Sequence, residues 1–226
     1  MTSVVEKIID WLNENLKGIM ANRAPGVAAD ILNKFIVMSH SAGGHVMTEY
    51  LNSTCGNVKM QIMLDPVDGA DPFGIKKDFI TTPGVMLPYA TPVLILATEL
   101  DQAHMGLTPP CAPNNMANLR FYNAMSGPKW FLNVTKYGHV DFYNAEYRDL
   151  SKMMCETCKK NCDFAEYKNL VKEAILNFID GVLNGNPTAM DIIESAKFTI
   201  PTDHKHDYMQ YSMQRGGFCV RVKKLE

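Results

Sequence analysis

Apolar residues at Val4, Val5, Ile8, Ile9, Trp11, Leu12 and Leu16 recur at helical spacing and predict an amphipathic helix from Ser3 to about Gly18. Ser3 followed three residues later by Glu6 has the form of a capping box. After a loop around Asn22 to Gly26 the pattern changes. Phe35-Ile36-Val37-Met38 is a continuous apolar run, as in a strand covered on both faces, and His45, Val46, Met47, Tyr50 and Leu51 resume helical spacing as far as Cys55-Gly56. Lys59–Leu64, Pro92–Ala97 and Trp130–Val134 predict three more strands, with a helix near Asn114–Ala124 before the last of them. Leu170, Val171, Ala174, Ile175, Phe178, Ile179 and Val182 predict a long helix from Phe164 to about Leu183. Strands alternating with helices in this way imply an α/β fold with a mostly parallel sheet flanked by helices.

Two stretches depart from that rhythm. Residues 70–90, rich in Gly, Pro and Thr, predict an excursion over the sheet edge, and about twenty-five irregular residues after the third strand are long enough for a working loop. Beyond Gly185 the chain turns polar, with only a short helix expected at Ala189–Lys197 and a peripheral arm from Pro201. The expected organisation is therefore one domain over residues 1–185 and an extension over 186–226. The final Leu-Glu has the form of an expression-vector scar and is given no function.

Composition narrows the classes. The 226 residues are 46% hydrophobic, enough for one sizeable core, and a formal charge of −2 gives no reason to expect nucleic acid. No run approaches the roughly 20 apolar residues of a membrane span, and the N-terminus lacks a signal-peptide layout, so no compartment is indicated. Fifteen Met fit either an adaptable apolar surface or ordinary core filling. Asn52-Ser53-Thr54 and Asn133-Val134-Thr135 fit the N-glycosylation acceptor pattern.

The candidate chemistry lies where the first strand meets its helix, at Ser39-His40-Ser41-Ala42-Gly43-Gly44. A Ser between small residues at a strand-to-helix turn has the pattern of a nucleophile elbow, in which the turn lifts the Ser hydroxyl above the sheet edge. Ser39 stands where that pattern usually has Gly. The next strands deliver Asp65 and Asp68, then Glu99 and Asp101, and the last leads through Tyr137-Gly138 to His139. This is the order Ser, acid, His. A hydroxyl is a weak nucleophile near neutral pH, so a His must take its proton and a carboxylate must orient the His. His139 is the expected base, with His40 a wall residue beside the nucleophile. Spacing alone leaves the acid open between Asp65 and the Glu99/Asp101 pair.

Ser39-His40-Ser41-Ala42-Gly43-Gly44, Leu64-Asp65-Pro66-Val67-Asp68-Gly69, Pro109-Pro110-Cys111-Ala112-Pro113 and Tyr137-Gly138-His139-Val140-Asp141-Phe142 together resemble chlorophyllase over about residues 3–183. The resemblance implies an α/β-hydrolase that cleaves the phytyl ester of chlorophyll to chlorophyllide and phytol. It places the nucleophile on Ser41, the acid on Asp65 and the base on His139, with the Ala42 backbone N–H as one oxyanion donor. It also implies a lipophilic ester as the binding partner, and no cofactor or protein-bound metal, since chlorophyll carries its own Mg. Met86, Leu87, Tyr89, Met105 and Leu107 are the expected apolar wall for the macrocycle or phytyl chain. Family members usually carry Gly at the position of Ser39 and Arg at that of Ala42, and have further strands before the position of Ser3. The expectation is that this chain is one piece of a longer or cleaved protein, or that another segment or chain covers the edge of its first strand.

Cys155-x-x-Cys158-x-x-x-Cys162 predicts a disulfide between two of these thiols, with the third reaching Cys111. A zinc site would need a fourth ligand. Two other readings compete with the esterase: a lipase or carboxylesterase of the same fold acting on another lipophilic ester, and a non-catalytic porphyrin or lipid binder.

Overall fold

The computed structural model describes residues 2–26, 35–55, 58–69, 78–104, 107, 109–198 and 200–207. In chain order the elements are α1 (Thr2–Arg23), β1 (Ile36–His40), α2 (Gly43–Thr54), β2 (Met60–Leu64), β3 (Val93–Thr98), a 3-10 turn (Glu99–Gln102), α3 (Leu119–Ala124), β4 (Lys129–Val134), α4 (Ala145–Ser151), α5 (Phe164–Asn184), α6 (Pro187–Ser195) and β5 (Thr202–Asp207). The sheet runs β1-β2-β3-β4-β5, parallel through β4, and the four strands expected from the apolar runs all form.

Because strand side chains point alternately to opposite faces, an unbroken apolar run feeds two cores. Val93, Ile95 and Ala97 join Val37, Met63 and Phe131 against Tyr50 and Leu51 of α2 and Phe121 of α3, with Val5 and Ile9 of α1 behind them. Leu94, Leu96, Met60, Ile62, Trp130 and Leu132 face the other way, onto Ala174 and Phe178 of α5 and Ile193 of α6. At about 1.5–3 kcal/mol per fully buried large side chain, this double layer holds the strand ends in register. A smaller core forms past β4, where Tyr137 stacks on Tyr167 at a centroid separation of 4.1 Å. It anchors the loop that carries His139 to the first turns of α5.

Three differences from the expected elements matter. α1 runs on past Gly18 to Arg23. A seven-residue helix, α4, follows the His139 loop where none was expected. The stretch after Gly185, expected to add no sheet element, supplies β5, which pairs antiparallel with β4 from Thr202↔Val134 to Asp207↔Lys129. Its composition hid it, because five of its six side chains are exposed and charge-rich, as suits the edge of a sheet. At the opposite edge β1 is the outermost strand among the described residues, with Met38 more than half exposed, and Val4, Ile8 and Trp11 of α1 are exposed as well.

Cys158 is bonded to Cys162, and Cys155 reaches Cys111. That is the expected pairing, and it consumes the thiolates that a zinc site would need.

Candidate active site

Ser41 follows β1 directly and takes a left-handed φ of 56°. Such a conformation costs on the order of 1–3 kcal/mol for a residue with a Cβ and has to be held by its surroundings. The end of β2, the loop after it and the start of α2 hold it. The Ser41 amide donates to the Leu64 carbonyl at 3.1 Å, and its own carbonyl accepts from Gly44 at 2.9 Å and Val67 at 2.9 Å. A Cβ on Gly44 would stand 2.6 Å from Cβ of Pro66, so glycine is required for the helix to pack this close to the Asp65 loop. A Cβ on Gly43 would lie 3.5 Å from that of Ser39, an ordinary contact.

His139 Nε2 lies 2.8 Å from Ser41 Oγ, and the ring is buried. His139 Nδ1 faces Asp65 Oδ2 at 3.5 Å, longer than a hydrogen bond. Asp65, also at positive φ (41°), is fully buried; its Oδ1 accepts from the Thr98 amide at 2.9 Å and Asn118 Nδ2 at 3.1 Å, and its Oδ2 accepts from the Thr98 hydroxyl. Glu99, the rival acid, lies on the exposed side of its turn and accepts from the Lys136 amide. Asp101, by contrast, is buried and shares the Asn118 side chain with Asp65. Ala42 is the N-cap of α2, immediately after Ser41.

The His139 loop is clamped from two sides. His40 Nε2–H donates to the His139 carbonyl at 3.0 Å, while its Nδ1 accepts from the Tyr143 hydroxyl at 3.2 Å. A carbonyl only accepts, which fixes that tautomer. Burial, with the neighbouring His139 second, pushes His40 down to about 4. On the other side, buried Asp141 accepts from the amides of Gly138 at 2.8 Å and Cys158 at 2.9 Å, and burial pushes its carboxyl up. The Glu156 carbonyl lies directly against the place a Cβ on Gly138 would occupy.

Asp68, which spacing grouped with Asp65, does other work. It takes hydrogen bonds from His45 at 2.8 Å, Arg120 Nε at 3.1 Å and the amides of Ile80 and Thr81. Burial pushes its carboxyl up, but these partners outweigh it and hold Asp68 at about 2. The return of the excursion is thereby tied to α2 and α3.

The residues expected as an apolar wall are divided between core and surface. Leu87 and Tyr89 are packed in the core beneath α3 instead: the Leu87 amide donates to Ala124, and the Tyr89 hydroxyl reaches Gln61 Oε1 at 3.4 Å. Met86 is partly exposed and Leu107 fully so, while Met105 lies outside the described residues. Asn118, Thr98 and Asp141 were not anticipated as parts of the site. Asp141 had a local signal, two residues past His139; Asn118 and Thr98 matter through contacts across the fold that spacing does not encode.

Comparison with known proteins gives the family. The chlorophyllase family model matches residues 2–210, nearly the whole chain. The chain belongs to the chlorophyllase family. Among curated chlorophyllases, Chlorophyllase-2 of Arabidopsis thaliana is 27% identical over 194 residues, covering 80% of this chain and 58% of the relative. Chlorophyllase type 0 of Chenopodium album is 28% identical over 144 residues, covering 62% and 41%. Chlorophyllase-1 of Arabidopsis thaliana is 24% identical over 196 residues, covering 82% and 59%. The chain thus spans at most 59% of the length of any of these three chlorophyllases. Membership of the family accords with the α/β-hydrolase fold, and no helix among the described residues is long and apolar enough to cross a membrane.

Proposed function

We propose that the chain is a serine esterase that cleaves the phytyl ester of chlorophyll. The observation that carries this reading is the 2.8 Å contact between Ser41 Oγ and His139 Nε2 at a strained strand-to-helix turn. Ser41 Oγ attacks the ester carbonyl as His139 takes its proton, and Asp65 orients the ring and stabilises the imidazolium. Contacts such as the 3.5 Å separation of Asp65 and His139 commonly tighten when substrate binds. The tetrahedral oxyanion accepts from the Ala42 N–H, phytol leaves with the proton from His139, and water then releases chlorophyllide from the acyl-enzyme. Met86, Met105 and Leu107 are the remaining candidates for contact with the phytyl chain. A second oxyanion donor comes from a segment or chain that pairs with the outer edge of β1; one donor is worth on the order of a hundred- to a thousand-fold in rate.

The test is chlorophyll de-esterification by the chain and by Ser41→Ala, with a fluorophosphonate probe run on both. Chlorophyllide from the parent is expected, with a loss on the order of a million-fold in kcat for the variant. Cleavage of p-nitrophenyl butyrate with chlorophyll left intact would move the substrate to another lipophilic ester. Failure of the parent to label would overturn the nucleophile and leave a pigment or lipid binder.

A further inference from the structure

Two carboxyl groups meet behind His139. Asp65 arrives from the end of β2 and Asp101 from the turn after β3, both buried, and Asp101 Oδ1 is buried with no hydrogen-bond partner among the described residues. Asn118 bridges them, its Nδ2 donating to Asp65 Oδ1 and to Asp101 Oδ2. Asn118 is itself buried at a φ of 32°, and its amide donates to the Pro66 carbonyl at 3.1 Å, so the bridge is fixed by the backbone on both sides. Two ionised carboxylates cannot hydrogen-bond to each other, and a dry site does not hold both charges side by side. One proton resolves both problems.

We infer that Asp101 is a positioning residue whose protonated carboxyl donates a hydrogen bond to Asp65 and so fixes the oxygen that Asp65 turns toward His139. The role rests on Ser41, Asp65 and His139 acting as the triad proposed above. Burial first and the Asp65 charge second push Asp101 up to about 9, so it keeps its proton at neutral pH. The Gln102 amide and Asn118 work against that shift without overcoming it. The other titratable groups on its side are Glu99, Asp203, His204 and Lys205, which line with it a cavity of about 320 Å³. The arrangement differs from a spare acid. Asp101 comes from the strand end where the fold more commonly carries its catalytic acid, yet it acts here through Asp65.

The sign of the pH effect follows. A carboxyl raised from 3.8 to about 9 favours the fold fully below the lower value, and that advantage drains away as pH rises through the upper one. The experiment compares the full chain with Asp101→Asn, which keeps a neutral donor, and Asp101→Ala, which does not. Three readouts are taken: fluorophosphonate labelling of Ser41, kcat and KM on p-nitrophenyl butyrate, and thermal unfolding from about pH 7 to about pH 9. Asp101→Ala is expected to lower kcat about tenfold or more with KM within about twofold, and Asp101→Asn to restore kcat to within about threefold. Asp101→Asn should also lose less of its unfolding temperature than the parent across that pH range. Equal losses of kcat in both variants, or equal pH slopes in parent and Asp101→Asn, would overturn the inference. A parent that never labels would overturn the serine reading, and the positioning role with it, while the unfolding curves would still report whether the two carboxyls share a proton.

Discussion

Gly138 and Glu156 are in such close backbone contact that a methyl group on Gly138 would collide with the Glu156 carbonyl. The loop carrying His139 is thus gripped by the cystine-bearing segment behind it, with Asp141 joining the two through the amides of Gly138 and Cys158. Gly138→Ala is expected to push His139 away from Ser41. Overpacking of this kind costs about 1–3 kcal/mol, and a displacement of about 1 Å at a reacting group can cost a hundred-fold in rate. Stopped-time fluorophosphonate labelling, read beside the unfolding midpoint, checks both numbers; unchanged labelling would show that the grip does not set the position of His139.

The second prediction concerns the bridge between loops. Cys111–Cys155 closes a segment of sequence separation 44. On chain-entropy grounds its removal should lower stability by about 2–4 kcal/mol. Urea unfolding of the oxidised chain against a Cys111→Ser/Cys155→Ser double variant measures this directly. A shift below about 0.5 kcal/mol would mean the unfolded chain gains little freedom from losing the link.

Asp68 carries a third. Removing it in Asp68→Ala leaves the half-buried His45 and Arg120 without their shared acceptor and frees the amides of Ile80 and Thr81. Breaking such a buried charge cluster typically costs about 3–5 kcal/mol. Asp68→Asn, which keeps an acceptor, should recover part of the loss. Chemical denaturation of the two variants decides it, and equal stability of Asp68→Ala and the parent would sink the claim.

A fourth prediction separates two acid windows. His40 is held at about 4, below its ordinary 6.5, so its neutral form stabilises the fold above 6.5 and that contribution is lost as pH falls through about 4. Asp68, held at about 2 against 3.8, contributes above 3.8 and loses that contribution only at lower pH. Between about pH 6 and pH 4, therefore, His40→Gln should flatten the fall in unfolding temperature, and Asp68→Asn should not flatten it. Parallel curves for His40→Gln and the parent would rule out His40 as the titrating group.

Much of this was legible in the amino acids, and what was not has a common cause. Runs such as Val93–Ala97 announce a strand covered on both sides, because every residue in them is apolar and the sheet uses both faces. The Ser41 turn was legible because close packing leaves only Gly at position 44. β5 was not, since an edge strand with exposed polar side chains carries no apolar period to read. Leu87 and Tyr89 read as wall residues because they are apolar and sit in the excursion over the sheet edge, whereas their burial under α3 involves Ala124 and Gln61, which are distant in sequence. Spacing leaves Glu99 and Asp65 both open, since both end strands, and only the family resemblance favours Asp65; in the fold Asp65 faces His139 at 3.5 Å while Glu99 accepts from the Lys136 amide.

Ser41 and His139 are separated by 98 residues, and the grip on His139 comes from residues later still. During synthesis the turn and Asp65 therefore leave the ribosome well before His139, and His139 before the segment that seats it. A growing chain therefore carries Ser41 through the 98 residues that precede His139, and the two side chains come within 2.8 Å only after the later segment that seats His139 has also emerged.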